Sequence, residues 1–230
     1  MPRAQRKLLA GYAYHVLNRA DDGLFIFDDD DDARLFERTL SDAADRYPDA
    51  GLLAYCIMAD HWHCVFCPKD DTILGKCMHW LTVTHTQRYH AVQGSSGAGH
   101  LYRSRFRSFP IALDEHLLEV IRYVERNPIR QGFVDRSADW VWSSAHKPKS
   151  QLAAGAKPTI AEWPVERPSR WRSWVDRDRG KKEAAEVVRL RQSVNRGTPF
   201  GPTDWVQDAA EKLALQSSLR PRGRPRKNTQ

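Results

Sequence analysis

The stretch MADHWHCVF, residues 58–66, sets two imidazoles, His61 and His63, two positions apart behind the carboxylate of Asp60. Its apolar and aromatic texture, free of glycine and proline, predicts a buried strand. Side chains of a strand alternate between faces, so both imidazoles point the same way, roughly 6–7 Å apart. Neutral imidazoles at that spacing suit one divalent ion such as zinc, manganese, nickel or iron. The alternative is a structural pair satisfied by backbone groups at a strand end. Cys64 and Cys67 raise a zinc finger or zinc deaminase as a rival. Their odd separation sends them to opposite faces of a strand, and a zinc deaminase needs H-x-E where this chain has His63. Cys56, Cys64, Cys67 and Cys77 are read as reduced thiols with structural roles.

A second constellation lies in RYVERNPIR, residues 122–130. On a helix over 114–127, Leu117, Val120, Ile121 and Val124 form the core stripe. At about 100° per residue, Tyr123 and Asn127 fall roughly 110° and 70° from its centre, on the flank that also carries His116. Spaced i, i+4, Tyr123 and Asn127 are neighbours. Pro128 disfavours helix at Asn127, which predicts its side chain at the helix C-terminus. Taken singly, Tyr123 reads as an amphipathic boundary residue and Asn127 as a cap. Arg122, Arg126 and Arg130 read as a solvated face.

These residues need elements to position them. Residues 11–20 alternate as a first strand with Arg19 at its exit. The acidic run Asp28 to Asp32 opens a helix whose apolar positions are Leu35, Phe36, Leu40, Ala43 and Tyr47, and acids there cap free N–H groups rather than bind metal. Two strands meet at a turn near Ala59–Asp60, a long helix runs from Thr72 to about Val92, and LYRSRFRSFPIAL (101–113) is a further strand candidate. The order strand, helix, strand, strand, helix, strand, helix predicts an α+β, ferredoxin-like sandwich, with an antiparallel sheet and helices on one face. Beyond residue 147 the chain turns rich in proline, tryptophan and arginine, then offers short helices at 181–195 and 203–215. The expected units are 1–147, a mostly helical basic extension over 148–218, and a basic tail over 219–230.

The net charge of +7 gathers at one end: from Glu166 onward there are 16 Lys/Arg against 8 Asp/Glu. That favours a polyanionic partner, nucleic acid first, over a solubilising tail only when joined to other signals. Arg103, Arg105 and Arg107 share one face if their segment is a strand, suiting a phosphate backbone or a solvated edge. The tail RPRGRPRK is AT-hook-like, with Arg222 and Arg224 fitted to a narrow minor groove. No apolar run reaches spanning length and the basic start lacks an apolar core, so neither a membrane span nor a secretory signal is expected.

The same-face His61/His63 pair with a helical Tyr123 and Asn127 resembles the HUH single-tyrosine, IS200-like transposases. The chain is more similar still to the REP-associated tyrosine transposases of bacteria. YHVLNR (14–19), MADHWHCVF, GHLYRSRFRS (99–108), YVERNPIRQGFV (123–134), WVWSS (140–144) and the RGTPFG ending carry the likeness, essentially end to end. Ala59–Asp60 departs from the family's usual Pro–Asn, and Cys64 and Phe66 replace aliphatic residues. The resemblance implies that His61, His63 and Asn127 hold Mg²⁺ or Mn²⁺ and that Tyr123 attacks phosphorus, leaving a 5′-phosphotyrosine and a free 3′-OH. It implies DNA contacts from Arg19, Arg103, Arg105, Arg107, Arg222 and Arg224. The implied activity is that of a metal-dependent single-strand endonuclease and strand transferase on REP-type hairpins, in the cytoplasm at the nucleoid, as monomer or homodimer with the monomer preferred. No dedicated base stands out; His116 is either that base or a polar helix residue. The competing reading is a DNA-binding repressor or structural protein with a vestigial site, against which the intact His61–His63–Tyr123–Asn127 set counts.

Overall fold

The computed structural model describes residues 7–20, 25–95, 97, 99–147 and 157–220; Arg222 and Arg224 lie outside them. The elements are β1 (Ala13–Arg19), α1 (Asp30–Arg46), β2 (Leu52–Ile57), β3 (His61–Phe66), α2 (Ile73–Val92), β4 (Arg107–Ile111), α3 (Glu115–Glu125), α4 (Asn127–Arg130), α5 (Trp171–Asp176), α6 (Lys181–Arg196), α7 (Thr203–Lys212) and α8 (Gln216–Leu219). The strands form one antiparallel sheet in the order β2-β3-β1-β4. Among the described residues no helix is long and apolar enough to cross a membrane.

Alternation along the strands divides the core in two. Tyr14, Val16, Trp62, Cys64 and Phe66 pack with Phe36 and Leu40 of α1 and with Leu74, Met78 and Leu81 of α2. The intervening Ala13 and Val65, with Phe109 and Ile111, meet Leu117, Val120, Ile121 and Val124 of α3. The α+β antiparallel class is as expected, but helices cover both faces of the sheet rather than one. The second face is as apolar as the first, and the stripe of α3 shields it. Trp171, Val175, Leu190 and Phe200 from the C-terminal third join that second core.

Local chemistry sets the boundaries. Asp29 caps α1 by accepting from the backbone N–H groups of Asp31 and Asp32, so the acidic run is a helix start. Gly51 takes φ 64° where a Cβ would fall 2.4 Å from the Cys67 carbonyl oxygen, so only glycine fits the entry to β2. Of the candidate strand over 101–113, only Arg107–Ile111 pairs; residues 101–105 run as bends.

Both edges of the sheet are covered. Pro110 sits in edge strand β4, and on its outer side the Phe200 N–H donates to the Pro110 carbonyl at 2.9 Å. Against β2, the Ile57 N–H donates to Trp142 O at 2.9 Å and the Ser144 N–H to Tyr55 O at 3.0 Å. The RGTPFG and WVWSS phrases are these edge covers, which remove templates for pairing with other chains.

Candidate active site

Trp62 and Cys64 point into the α1/α2 core, so the alternating His61 and His63 of β3 face α3. Their rings lie 4.9 Å apart between centroids, and the Tyr123 ring lies 5.9 Å from that of His63. Asn127 Nδ2 approaches His61 Nε2 at 3.3 Å. The four residues singled out from the sequence therefore meet within one chain.

Each imidazole is held from behind. His61 Nδ1 donates to the Asp60 carboxylate, and His63 Nδ1 lies 2.8 Å from Nε2 of His15, a fully buried residue on the same face of β1. With both Nδ1 atoms engaged, the Nε2 atoms are left to face the site. For His63 to present an Nε2 lone pair, its Nδ1–H donates to His15, whose own Nδ1 is buried with no partner among the described residues. Burial, and then the charge of His61, holds His63 well below its ordinary pKa and brings His15 to about 3, so both are neutral. The hydrogen bond from His61 is the main cause that lowers the pKa of Asp60.

These donors fit a divalent ion: two imidazoles whose Nδ1 atoms are engaged from behind and an amide alongside. Asn127 presents its nitrogen to His61, while its Oδ1 accepts from Arg130 Nη2 at 2.9 Å. Offering the oxygen to an ion requires the amide to turn over.

Several expectations change. Asn127 lies just past the end of α3, whose C-cap is Arg126, as the proline predicts, but it also opens the short helix α4. Arg126 keeps a helical backbone and Asn127–Arg130 adds another turn, with Pro128 in its first positions, where no N–H is needed. The Tyr123–Asn127 neighbourhood survives the proline for that reason. Nor are the three arginines a solvated face. Arg122 and Arg126 are buried, both pair with Glu183, and they donate to the carbonyls of Trp174, Val175, Asp176 and Arg177 at the end of α5. Arg130 stacks on Tyr123, its guanidinium carbon 4.1 Å from the ring centroid, and its Nη2 donates to Tyr123 O at 2.8 Å.

His116 bonds Asp114 at 2.8 Å and packs on Phe200. The trio Asp114, Glu115 and His116 brings donor atoms within 4.8 Å of one another, but Asp114 is the N-cap of α3 and none of the predicted ligands belongs to it.

The arginines expected to contact DNA separate. Arg19 is the Cα partner of His61, and its carbonyl accepts from Arg103 N at 3.1 Å, which places this strand end beside the site. Arg103 and Arg105 line a groove of about 510 Å³ with Asn18, Tyr102 and the Thr82 and Thr86 side of α2. Arg107 lines a different cavity of about 440 Å³ with Lys7 and Arg196. The three do not form a row on one strand, because the chain bends through 101–105 before β4 begins.

Two site residues escaped the sequence reading. His15 stands in YHVLNR, but its role depends on the register that puts Leu17 opposite His63. Arg130 carried a usable signal, lying three positions after Asn127 and seven after Tyr123 on a continuing helix.

The family model described as Transposase IS200 like matches residues 9–127, from ahead of β1 through Asn127. A solved structure described as a REP-associated tyrosine transposase bound to a REP hairpin is similar in fold, with a TM-score of 0.52 at 13% identity, over 69% of this chain and 92% of that one. No curated protein matches the chain. The matched segment spans more than half of the sequence and takes in every residue of the His61–His63–Tyr123–Asn127 cluster, so this chain belongs to the IS200-like transposase family.

Proposed function

We propose that the protein is a metal-dependent single-stranded DNA endonuclease and strand transferase that acts on REP-type hairpins through a covalent 5′-phosphotyrosine. The observation that carries this reading is the meeting of Tyr123 with His61, His63 and Asn127, both imidazoles having their Nδ1 atoms engaged from behind. His61, His63 and, after its amide turns, Asn127 would hold Mg²⁺ or Mn²⁺. When bound, the ion polarises the scissile phosphate and offsets charge on its oxygens. The Tyr123 phenol oxygen attacks phosphorus and gives up its proton; the P–O3′ bond breaks, and the 3′ oxygen leaves as a hydroxyl. A 3′-OH attacking the phosphotyrosine reverses these bonds and rejoins DNA without external energy. Asp60 and His15 hold the imidazoles in register throughout.

Arg19 and the groove with Arg103 and Arg105 would carry the strand entering the site, a reading supported by the pairing of Arg19 with His61. The REP hairpin bound by the similar transposase supports the choice of substrate, and a site drawn from one chain supports action as a monomer. The test uses a labelled oligonucleotide bearing a REP-type hairpin with unpaired flanks, incubated with Mg²⁺, Mn²⁺ or EDTA. Wild type should form a covalent adduct with either metal, and EDTA, Tyr123→Phe and His63→Ala should each abolish it. Retardation of a panel of hairpins without cleavage would replace this reading with the repressor.

A further inference from the structure

Arg130 stands apart from the other arginines of its helix. Arg122 and Arg126 are neutralised by Glu183, whereas among the described residues no carboxylate pairs with Arg130. Its Nη2 serves Tyr123 O and Asn127 Oδ1, and no protein acceptor among them meets Nε or Nη1. Neither of those atoms is sealed from solvent. A partly buried guanidinium without a counter-charge is costly, and burial works against its charged form. The cation is held beside the ring of Tyr123 and the amide of Asn127, with Nε and Nη1 open toward solvent.

We propose that Arg130 is the phosphate clamp of the site, an N–H of Nε or Nη1 donating to a non-bridging oxygen of the scissile phosphate while its face holds the Tyr123 phenol. This rests on the transposase reading above. A guanidinium N–H donated to an anionic phosphate oxygen is a charge-assisted bond, about twice as strong as a neutral one. Stacking adds a second effect. A cation over an aromatic face attracts the ring, and the attraction grows as the phenol oxygen takes on negative charge during attack. The turn of α4 sets both functions, since its Asn127–Arg130 spacing of three residues folds the guanidinium back over Tyr123.

The experiment compares the full-length wild type with Arg130→Gln on two hairpin oligonucleotides. One carries the normal phosphodiester at the cleaved position; the other carries a methylphosphonate, which lacks the anionic non-bridging oxygen. On the phosphodiester, Arg130→Gln should slow adduct formation about 100-fold, the usual effect of losing one group that stabilises developing charge. On the methylphosphonate there is less charge to neutralise, and the gap between the two proteins should shrink to under about tenfold. An equal loss on both substrates would overturn the proposal, because Arg130 would then only position Tyr123 and Asn127. An unchanged rate on the phosphodiester would overturn it as well. If Arg130→Gln fails to fold, Arg130→Lys carries the same comparison: it keeps the charge without the planar, stacked guanidinium donors, and its deficit should likewise be larger on the phosphodiester. If wild type forms no adduct with any hairpin, the transposase reading has failed and the clamp falls with it.

Discussion

An imidazole offers one lone pair, so whatever stands behind His63 decides which nitrogen it presents. His15 occupies that place at 2.8 Å and is wholly buried. His15→Phe keeps the ring volume and removes the acceptor; Mn²⁺ affinity, measured by calorimetry, should fall about 10- to 100-fold. Unchanged affinity would reduce His15 to packing. A different buried imidazole sets a pH dependence. His85, on the far side of the sheet, is brought to about 3 by burial, and then by the charge of Arg88, while its Nδ1 meets the Tyr102 hydroxyl at 2.7 Å. Its folded pKa lies below the unfolded value, so unfolding takes up a proton and stability falls as pH drops below about 6.5. His85→Gln lacks that term. Its stability deficit at pH 7.5, read by urea denaturation, should therefore narrow by about 1.4 kcal/mol per pH unit between pH 6 and 5. Spacing put His61 with His63, and Tyr123 with Asn127, on shared faces, while joining the two pairs into one site came from the resemblance to the IS200-like transposases. His15 was not legible, because which strands pair and in what register is not written in any one segment.

The geometry of the proposed site depends on where α3 lies, and α3 is fastened on two sides. Its apolar stripe packs on the sheet, while Arg122 and Arg126 reach across to Glu183 and the end of α5. Burial opposes the charge on Glu183, but the two arginine hydrogen bonds outweigh it and hold the carboxyl at about 2. Glu183→Ala strands two buried guanidinium groups and should cost about 3–5 kcal/mol in chemical denaturation. A loss under about 1 kcal/mol, the worth of an exposed pair, would show the network to be solvated. The helical pattern placed these arginines off the stripe and so read them as wet. The pattern of one helix marks the face that meets the first neighbour but says nothing of a second layer delivered from some fifty residues later. Pro128 marked the boundary of α3 correctly; what it did not show is the further turn, α4, that takes the proline in its opening positions.

At the scale of the whole molecule, one sheet presents its histidine face to the tyrosine helix of the same chain, and the C-terminal third closes over that helix and both sheet edges. Helices on both faces were not foreseen. Counting elements gives layers but not the side each helix takes, and the core stripe of α3 would have satisfied either face. A site complete in one chain has a kinetic consequence. Mixing Tyr123→Phe with His63→Ala should restore no adduct, and the wild-type rate per molecule should not change with protein concentration. Restored activity in the mixture would mean that tyrosine and histidines come from different subunits.

The measurement closest to the central claim is mass spectrometry of the trapped adduct after protease digestion, using oligonucleotides labelled on either side of the cleaved phosphate. The peptide containing Tyr123 should carry the 5′-phosphate fragment, and the other fragment should be released with a free 3′-OH. DNA attached to a different residue, or the 3′ side retained on the protein, would contradict it.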